Sequence, residues 1–250
     1  MEHALAGEGN GLDFGRMIEQ ARQQEVWGVE CPHHGFRRFM TACEVCELDR
    51  QRSEAVLQKH LNEAGAPTRY LGSRFADYGQ DYPAAASALA AAREVVAGDA
   101  LGLVLAGPTG VGKTLLAVAT AHEWVDRMVA GERRGRALYA TQRSLIDGVR
   151  ESYRADSQIS ERQAIRQYVQ AGLLIIDELG AGRNSADEQY HLAEVVNARH
   201  EQQRATILAT NYPLSDLHQE TPLDDRALSR IYSGEWRRVE VVGADRRVAE

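Results

Sequence analysis

One short motif constrains this chain more than any other feature: Gly107-Pro108-Thr109-Gly110-Val111-Gly112-Lys113-Thr114. The apolar run Leu101 to Ala106 comes before it, and a second apolar stretch, Leu115 to Ala119, follows it. This order predicts a strand, a glycine-rich turn and a helix, and the spacing G-x-x-x-x-G-K-[ST] is that of a phosphate-binding loop. The glycines allow several backbone N–H groups to point at one polyphosphate, and the N-terminus of the helix adds partial positive charge. We therefore expect Lys113 to contact nucleotide phosphates and the Thr114 hydroxyl to bind Mg²⁺.

Size and charge narrow the class of protein. The chain has 250 residues, of which 44% are hydrophobic, and a formal net charge of -7. That length accommodates one large domain with a small appendage. The acidic balance argues against a strongly basic nucleic-acid binder, although a local basic groove is compatible with it. The sequence has no apolar run of about 18 residues, and Met1 to Glu8 lack the pattern of a secretion signal. We expect a cytoplasmic protein without a membrane partner.

All three cysteines of the chain lie in one short segment. Cys31 and His34 have C-x-x-H spacing, and Cys43 and Cys46 have C-x-x-C spacing. Two such pairs can surround one tetrahedral Zn²⁺, and four protein ligands leave no open position, so the predicted metal is structural. An odd cysteine count in a cytosolic chain disfavours disulfides. His33 competes with His34 for the fourth position.

Apolar runs alternate with helical patterns along the rest of the chain. Strands are predicted at 101–106, 137–141, 173–178 and 205–211, with a short fifth strand at 238–243. Helices are predicted at 13–27, 44–65, 84–97, 113–130, 142–156, 159–171 and 186–202. The alternation predicts an α/β fold with a parallel sheet that has helices on both faces. We expect a zinc-binding N-terminal domain (1–65), an extended linker (66–80) and a nucleotide-binding domain (81–250).

Polar side chains end two of the predicted strands. Asp177 and Glu178 follow Leu173 to Ile176, and Asn211 follows Ala205 to Thr210. Ligand-binding groups collect at the carboxyl ends of parallel strands, so we expect these side chains near the phosphate loop. A carboxylate there suits Mg²⁺ held through its water shell, which fits Asp177. Glu178 is then available as the general base for an attacking water, and Asn211 is placed to orient that water.

Two arginines near the end of the chain suit contact with phosphate. Arg226 and Arg230 lie four residues apart, which places them on one face of a predicted helix. Their guanidinium groups suit bidentate contact with phosphate and are often supplied by a neighbouring subunit. The alternative is an ordinary salt bridge to Asp224 or Asp225.

In combination, these motifs resemble those of an AAA+ ATPase, and more narrowly those of the DnaC/DnaI-type replicative helicase loaders. Three stretches carry the narrower resemblance: 64–70 (AGAPTRY) with Phe75 after it, 173–180 (LLIIDELG) and 225–231 (DRALSRI). The Cys/His segment resembles the zinc-bearing N-terminal part of some members. The resemblance covers residues 31–247, which is nearly the whole chain.

The resemblance implies roles for the residues of the ATP site. Residues 107–114 would form the Walker A motif, with Lys113 and Thr114 as its functional pair. Asp177 and Glu178 would be the Walker B pair, and Asn211 would be sensor 1. The implied activity is hydrolysis of ATP to ADP and phosphate.

The resemblance also implies roles for the late arginines. Arg230 would be the arginine finger that acts on the ATP of a neighbouring subunit, with Arg226 beside it. Arg247 would be the sensor 2 arginine. The family usually has a tyrosine just before that arginine, and this chain has Arg246 there, so the choice between Arg246 and Arg247 stays open.

Loaders of this kind bind a hexameric replicative helicase through their N-terminal part, and their ATPase domains self-associate and contact single-stranded DNA. The aromatic residues that match this DNA contact are Tyr153 and Tyr190, and the physical basis would be stacking on bases. Plain packing is the alternative for both tyrosines.

Two other functions fit the same motifs. A transposition helper ATPase of the IstB kind would bind duplex DNA and a transposase. A non-catalytic ATP-binding adaptor would only dock a partner through residues 1–65. The zinc segment and the acidic balance favour the loader, because a protein that wraps duplex DNA usually needs many basic contacts.

Overall fold

The computed structural model describes residues 28–31, 35–38, 43–63, 66–79, 82–154 and 156–246. The chain divides into two compact units, residues 1–47 and 48–250. The helix predicted at 13–27 lies outside the described residues, as do His33, His34 and Arg247. Among the residues that are described, no helix is both long enough and apolar enough to cross a membrane.

The first unit contains a small hairpin that sequence analysis did not predict. Strand β1 (Gly28–Cys31) pairs antiparallel with strand β2 (Gly35–Arg38), and Cys31 lies opposite Gly35. Gly35 has a φ of 69°, a left-handed conformation that favours glycine. Helix α1 (Glu44–Glu63) begins in this unit and ends in the second one. The three cysteines therefore lie at the end of β1 (Cys31), just before α1 (Cys43) and in the first turn of α1 (Cys46).

The second unit is built on a five-stranded parallel sheet. Its strands are β3 (Gly102–Ala106), β4 (Ala137–Thr141), β5 (Leu173–Leu179), β6 (Ala205–Thr210) and β7 (Trp236–Glu240). They lie in the order β4-β5-β6-β3-β7, and every neighbouring pair is parallel. The predicted parallel sheet is confirmed, and the fifth strand begins slightly earlier than expected.

The helices of this unit follow the prediction, including the helix that carries Arg226 and Arg230, and one short helix, α7, is added near the end. They are α2 (Pro83–Ala97), α3 (Lys113–Val129), α4 (Gln142–Glu151), α5 (Glu161–Gln170), α6 (Ala186–Glu201), α7 (Leu217–Glu220) and α8 (Asp225–Ile231). Short polar side chains set where several of them begin. Thr141, Ser160, Ser185 and Asp224 each accept a hydrogen bond from a backbone N–H in the first turn of the following helix.

Both faces of the sheet are buried. Leu103, Ile175 and Ile207 pack with α1, α2 and α3 on one face. Val104 and Ile176 pack with α4, α5, α6 and α8 on the other face. This explains why the central strands read as continuous apolar runs rather than as alternating ones.

A buried arginine joins the end of α5 to the sheet. Arg199 has no solvent exposure, and its guanidinium donates hydrogen bonds to the carbonyl oxygens of Tyr168 (2.6 Å) and Ala171 (2.8 Å). It also donates to the carbonyl of Ala205 and to Thr206 Oγ1 (2.9 Å), where β6 begins. The last carbonyls of a helix have no partner within the helix, so Arg199 satisfies groups that would otherwise be buried alone.

The segment expected to be an extended linker packs against the large unit instead. It forms two 3-10 turns, Thr68–Tyr70 and Phe75–Asp77, and Ala66 and Tyr78 are buried in the core. Arg74 donates to Glu54 Oε1 of α1 at 2.6 Å and to Asp126 Oδ2 of α3 at 3.0 Å. The compact second unit begins at Leu48, well before the boundary expected from the sequence.

Candidate nucleotide-binding site

The phosphate loop connects β3 to α3 and has the backbone that its glycines permit. Gly107, Gly110 and Gly112 have φ values of 134°, 91° and 100°, in the region that favours glycine. The buried Lys113 donates from Nζ to the carbonyl oxygens of Gly107 and Pro108, both at 2.7 Å. Its ammonium group therefore lies inside the loop, against the loop's own backbone.

Three side chains meet at the carboxyl end of β5. Thr114 Oγ1 donates to Asp177 Oδ2 at 2.7 Å, and the Tyr139 hydroxyl donates to the same oxygen at 2.8 Å. Asp177 and Tyr139 are both buried. Burial, and then the charge of Asp177, raises the pKa of Tyr139, so its hydroxyl stays protonated and remains a donor. The predicted Thr114–Asp177 pair is thus brought together.

Sequence analysis missed the role of Tyr139. The contact follows from the register of the sheet, which the sequence alone does not give: Tyr139 pairs with Ile175, and Thr141 pairs with Asp177. Residues two apart on a strand share one face, so Tyr139 and Asp177 point to the same side. That side also carries the helix that begins at Lys113.

Glu178 lies at a bulge in the strand. Its φ is 55°, and the pairing of β5 with β6 shifts register between Ile176 and Leu179. The Glu178 N–H donates to Asp177 Oδ1 at 2.8 Å, and the Glu178 side chain is exposed. Bulges and left-handed non-glycine residues often re-aim a side chain at a functional site. Although the residue is exposed overall, partial burial of its carboxyl group, and then the charge of Asp177, raises the pKa of Glu178.

Asn211 follows β6 and is exposed. Its side chain has no hydrogen-bond partner among the described residues, whereas the preceding Thr210 hydroxyl donates to the Leu179 carbonyl at 2.7 Å. The role of Asn211 in orienting a water therefore stays a prediction.

Arg226 and Arg230 share a carboxylate that the sequence did not indicate. Arg226 Nη2 lies 2.8 Å from Glu201 Oε1, and Arg230 Nη2 lies 2.7 Å from the same oxygen. Arg230 Nη1 also donates to the Asn197 carbonyl at 2.5 Å. The alternative prediction, a salt bridge to Asp224 or Asp225, is therefore wrong: both arginines form a salt bridge, but with Glu201.

Those two aspartates are engaged elsewhere. Asp224 Oδ1 accepts from the Ala227 N–H at 2.7 Å, and Asp225 Oδ1 lies 2.9 Å from His218 Nε2. Asp224 thus caps helix α8, and the arginines pair with Glu201 instead.

The chain returns to the phosphate loop after β7. The Arg246 N–H donates to the Gly110 carbonyl at 3.0 Å, and the Arg246 guanidinium lies 4.6 Å from the centre of the Tyr78 ring. Arg246 Nη2 also donates to the Gly79 carbonyl at 2.7 Å. A β-carbon at residue 110 would collide with the carboxylate of Asp245, so a glycine is needed there. Of the two sensor 2 alternatives, Arg246 is therefore the one with a described contact to the loop.

The three cysteines form a cluster in the first unit. Their sulfur atoms all lie within 4.8 Å of one another, and Cys31 Sγ is 3.4 Å from Cys46 Sγ. Thiolates about 2.3 Å from a tetrahedral Zn²⁺ lie roughly 3.8 Å apart, so the cluster fits three corners of such a site. The backbone N–H of Cys46 lowers the pKa of Cys43 to about 6, whereas burial and the neighbouring thiols raise the pKa of Cys46 to about 12, so without a metal Cys43 is the thiol of this pair that ionises first. The proposed fourth ligand, His34, lies outside the described residues.

Tyr153 and Tyr190 lie on either side of one histidine. The Tyr153 hydroxyl is 2.8 Å from His191 Nε2, and the Tyr190 ring is 5.2 Å from the His191 ring. His191 is buried, whereas Tyr153 is 52% exposed and Tyr190 is 62% exposed. The two tyrosines thus belong to one exposed aromatic patch, which neither the spacing nor the composition indicated.

A parallel sheet with a phosphate loop after β3 and an acidic pair at the end of β5 defines a P-loop nucleotide-binding protein of the AAA+ type. A family model described as "IstB-like ATP binding protein" matches residues 51–232, and the chain belongs to that family.

The similar proteins include helicase loaders. The replicative helicase loader DnaC of Escherichia coli K12 is 26% identical over 202 residues, which is 80% of this chain and 79% of that protein. A crystal structure of the DnaC helicase loader matches with a TM-score of 0.56 at 24% identity, covering 70% of this chain and all of the other. A crystal structure of DnaI matches with a TM-score of 0.56 at 21% identity, covering 71% of this chain and 95% of the other. The structural matches support the fold.

Proposed function

We propose that this chain is an ATP-dependent loader that binds a hexameric replicative DNA helicase and helps to place it on single-stranded DNA. The observation that carries the proposal is the Thr114–Asp177–Tyr139 cluster beside the phosphate loop, in a chain similar to DnaC over 80% of its length. The zinc-binding N-terminal region, taken as residues 1–65, is assigned to the helicase. The ATPase domain, residues 81–250, is assigned to ATP, to its own copies and to DNA.

ATP binding rests on the loop 107–114. Its N–H groups and Lys113 hold the phosphates, with Lys113 leaving the carbonyls of Gly107 and Pro108 to do so. Thr114 and Asp177 would hold Mg²⁺, and the ion would offset negative charge on the phosphates. The hydroxyl oxygen of Thr114 and the carboxylate oxygen of Asp177 lie 2.7 Å apart, and both are the kind of oxygen ligand that Mg²⁺ prefers. Arg246 and Arg247 are the candidates for contact with phosphate from the C-terminal side.

Hydrolysis rests on Glu178. Its carboxylate accepts the proton of a water whose oxygen attacks the γ-phosphorus, while the bond from that phosphorus to the bridging oxygen breaks and ADP leaves. The raised pKa of Glu178 strengthens it as a base. Asn211 orients the same water.

Arg230 completes the site of a neighbouring subunit, with Arg226 beside it. In the single chain, the side chain of Arg230 is only 15% exposed and is paired with Glu201. When subunits assemble, the Arg230 guanidinium must therefore leave Glu201 and contact phosphate of the neighbouring site instead. Slow hydrolysis by the isolated chain follows from this exchange.

The Tyr153–Tyr190 patch is assigned to single-stranded DNA. Both rings are exposed and are anchored on one buried histidine, an arrangement that suits stacking on bases of any sequence.

The test uses the full chain and the replicative helicase encoded by the same genome, both purified. We expect a complex on a sizing column, and we expect ATP to be required for transfer of the helicase onto a circular single strand coated with single-strand-binding protein. Lys113→Ala should form the complex and fail in the transfer. Failure of the wild-type chain to bind the helicase would refute the loader.

The family match favours one other candidate, a transposition helper of the IstB kind. That function requires affinity for duplex DNA with a steep dependence on salt, because many phosphate contacts would release counterions. Titration of a labelled duplex and a labelled single strand at two salt concentrations separates the two functions. A clear preference for the duplex, together with binding of a transposase from the same genome, would replace the loader.

A further inference from the structure

One fully buried glutamine holds the turn that follows the acidic strand. Gln142 begins α4 and has no solvent exposure. Its Oε1 accepts a hydrogen bond from the Gly180 N–H at 2.7 Å. Gly180 comes two residues after Glu178, and the Ala181 N–H donates to the Glu178 carbonyl at 3.0 Å. Gln142 therefore fixes the short turn whose first residue is the proposed general base.

The other end of the Gln142 amide is tied to α6. Gln142 Nε2 donates to Glu188 Oε2 at 3.1 Å, and the Asn184 N–H donates to the same oxygen at 3.0 Å. Glu188 is buried, so these donors help to compensate a charge that would otherwise be costly. A β-carbon at Gly182 would collide with Gln142 Nε2, so the loop closes tightly over the pair.

Glu188 in turn connects to the exposed aromatic patch. Arg150 Nη2 lies 3.6 Å from Glu188 Oε1 and 2.9 Å from Asp187 Oδ2. Asp187 Oδ1 lies 3.2 Å from His191 Nε2, the atom that also contacts the Tyr153 hydroxyl. An unbroken series of polar contacts thus runs from the surface that carries Tyr153 to the turn after Glu178.

We propose that Gln142 is a positioning residue for Glu178, and that through Glu188 it transmits occupancy of the Tyr153–Tyr190 patch by single-stranded DNA to the rate of ATP hydrolysis. This inference rests on the proposed function, since it takes Glu178 as the base and the patch as the DNA contact. The coupling is local because the contacts join three adjacent elements, α4, α6 and the loop after β5.

The test replaces Gln142 with methionine, which keeps the length of the side chain and removes the hydrogen bonds of its amide with the Gly180 N–H, with Glu188 and with Asn184 Oδ1 (3.4 Å). The steady-state hydrolysis of ATP is measured on the full chain, with and without a saturating oligothymidylate. We expect kcat to fall about tenfold or more, because a base that is displaced slightly loses much of its effect. We expect KM for ATP and the affinity for oligothymidylate to stay within about twofold of wild type. The change in kcat that oligothymidylate causes in wild type should be lost.

Two further variants make the result specific. Gln167→Met changes an exposed glutamine on α5 to the same residue and should behave as wild type in every assay. Glu188→Gln keeps an acceptor for Gln142 and Asn184 but removes the charge that faces Arg150. It should keep the basal kcat and lose only the response to oligothymidylate, so it tests the coupling even if Gln142→Met folds poorly.

The outcomes separate this inference from the proposed function. If wild type hydrolyses ATP and Glu178→Gln does not, but Gln142→Met keeps both its kcat and its response, Gln142 has no positioning role. A parallel loss of ATP affinity would make Gln142 a structural residue and overturn the inference as well. If oligothymidylate does not change the kcat of wild type, the proposed coupling between DNA binding and hydrolysis is wrong. Lack of any hydrolysis dependent on Glu178 would instead remove the proposed mechanism.

Discussion

Substitution of Tyr139 by phenylalanine removes one hydroxyl from the core of the nucleotide site. That hydroxyl donates to Asp177 Oδ2 at 2.8 Å, and both side chains are buried. A hydrogen bond to a charged group contributes about 1.5–3 kcal/mol to the free energy of unfolding. For a domain of this size, such a loss lowers Tm by about 3–12 °C. The ring itself remains, so packing in the core should not change.

The same substitution should weaken the site for Mg²⁺. Tyr139 and Thr114 are the described donors to Asp177 Oδ2, and Thr114 is itself expected to turn to the ion. Groups that orient a metal ligand typically contribute 10- to 100-fold, so about that increase is expected in the Mg²⁺ concentration that gives half-maximal hydrolysis. Binding of ATP without Mg²⁺ should change little.

The assays are thermal and urea unfolding followed by circular dichroism, and hydrolysis of ATP during a titration with Mg²⁺. Tyr168→Phe is the matched control, because Tyr168 is also buried but lies on α5, in the core cluster on the other face of the sheet. Tyr168→Phe should behave as wild type in both assays. If Tyr139→Phe also shows the unfolding midpoint and the Mg²⁺ dependence of wild type, the role assigned to the Tyr139 hydroxyl is wrong.

Four other substitutions test the remaining assignments. Lys113→Ala should abolish binding of ATP in calorimetry, and retained tight binding would contradict the phosphate loop. Glu178→Gln should bind ATP without turnover. Because folding raises the pKa of Glu178, its charge costs stability as pH rises from about 4 to 7, so the Tm of Glu178→Gln relative to wild type should rise over that range. Arg230→Ala should lose the hydrolysis that depends on assembly of subunits, and mixing it with Lys113→Ala subunits should restore that hydrolysis. If mixing restores no hydrolysis, the assignment of Arg230 as the arginine finger is wrong. Wild type should contain one zinc per chain by elemental analysis and Cys43→Ser should not, whereas a folded, metal-free wild type would contradict the site.

The regular elements were predictable because their signals are local. The strands at 137–141 and 173–178 are continuous apolar runs, and the structure gives Ala137–Thr141 and Leu173–Leu179. The helix expected at 142–156 ends at Glu151, where the Ser152 hydroxyl bonds back to the Val149 carbonyl. A weak helical pattern does not reveal such an early stop.

The contacts within the site were less predictable because they depend on register and on distant partners. The bulge at Glu178 leaves no mark in the sequence, yet it gives that residue a left-handed backbone and shifts the pairing of β5 with β6. Glu201, which pairs with Arg230, lies 29 residues from it in sequence. The Gln142–Glu188 contact joins residues 46 apart. No periodicity in one sequence reports contacts of this range.

The position of Lys113 has a consequence for selectivity. Its ammonium group already has two oxygen partners in the loop, at 2.7 Å each, so an incoming ligand must exchange those partners for better ones. A neutral molecule cannot do so, and a single weak anion gains little from the exchange. A triphosphate supplies several charged oxygens at once, which makes the exchange favourable. We therefore expect the resting loop to favour highly charged ligands over neutral ones.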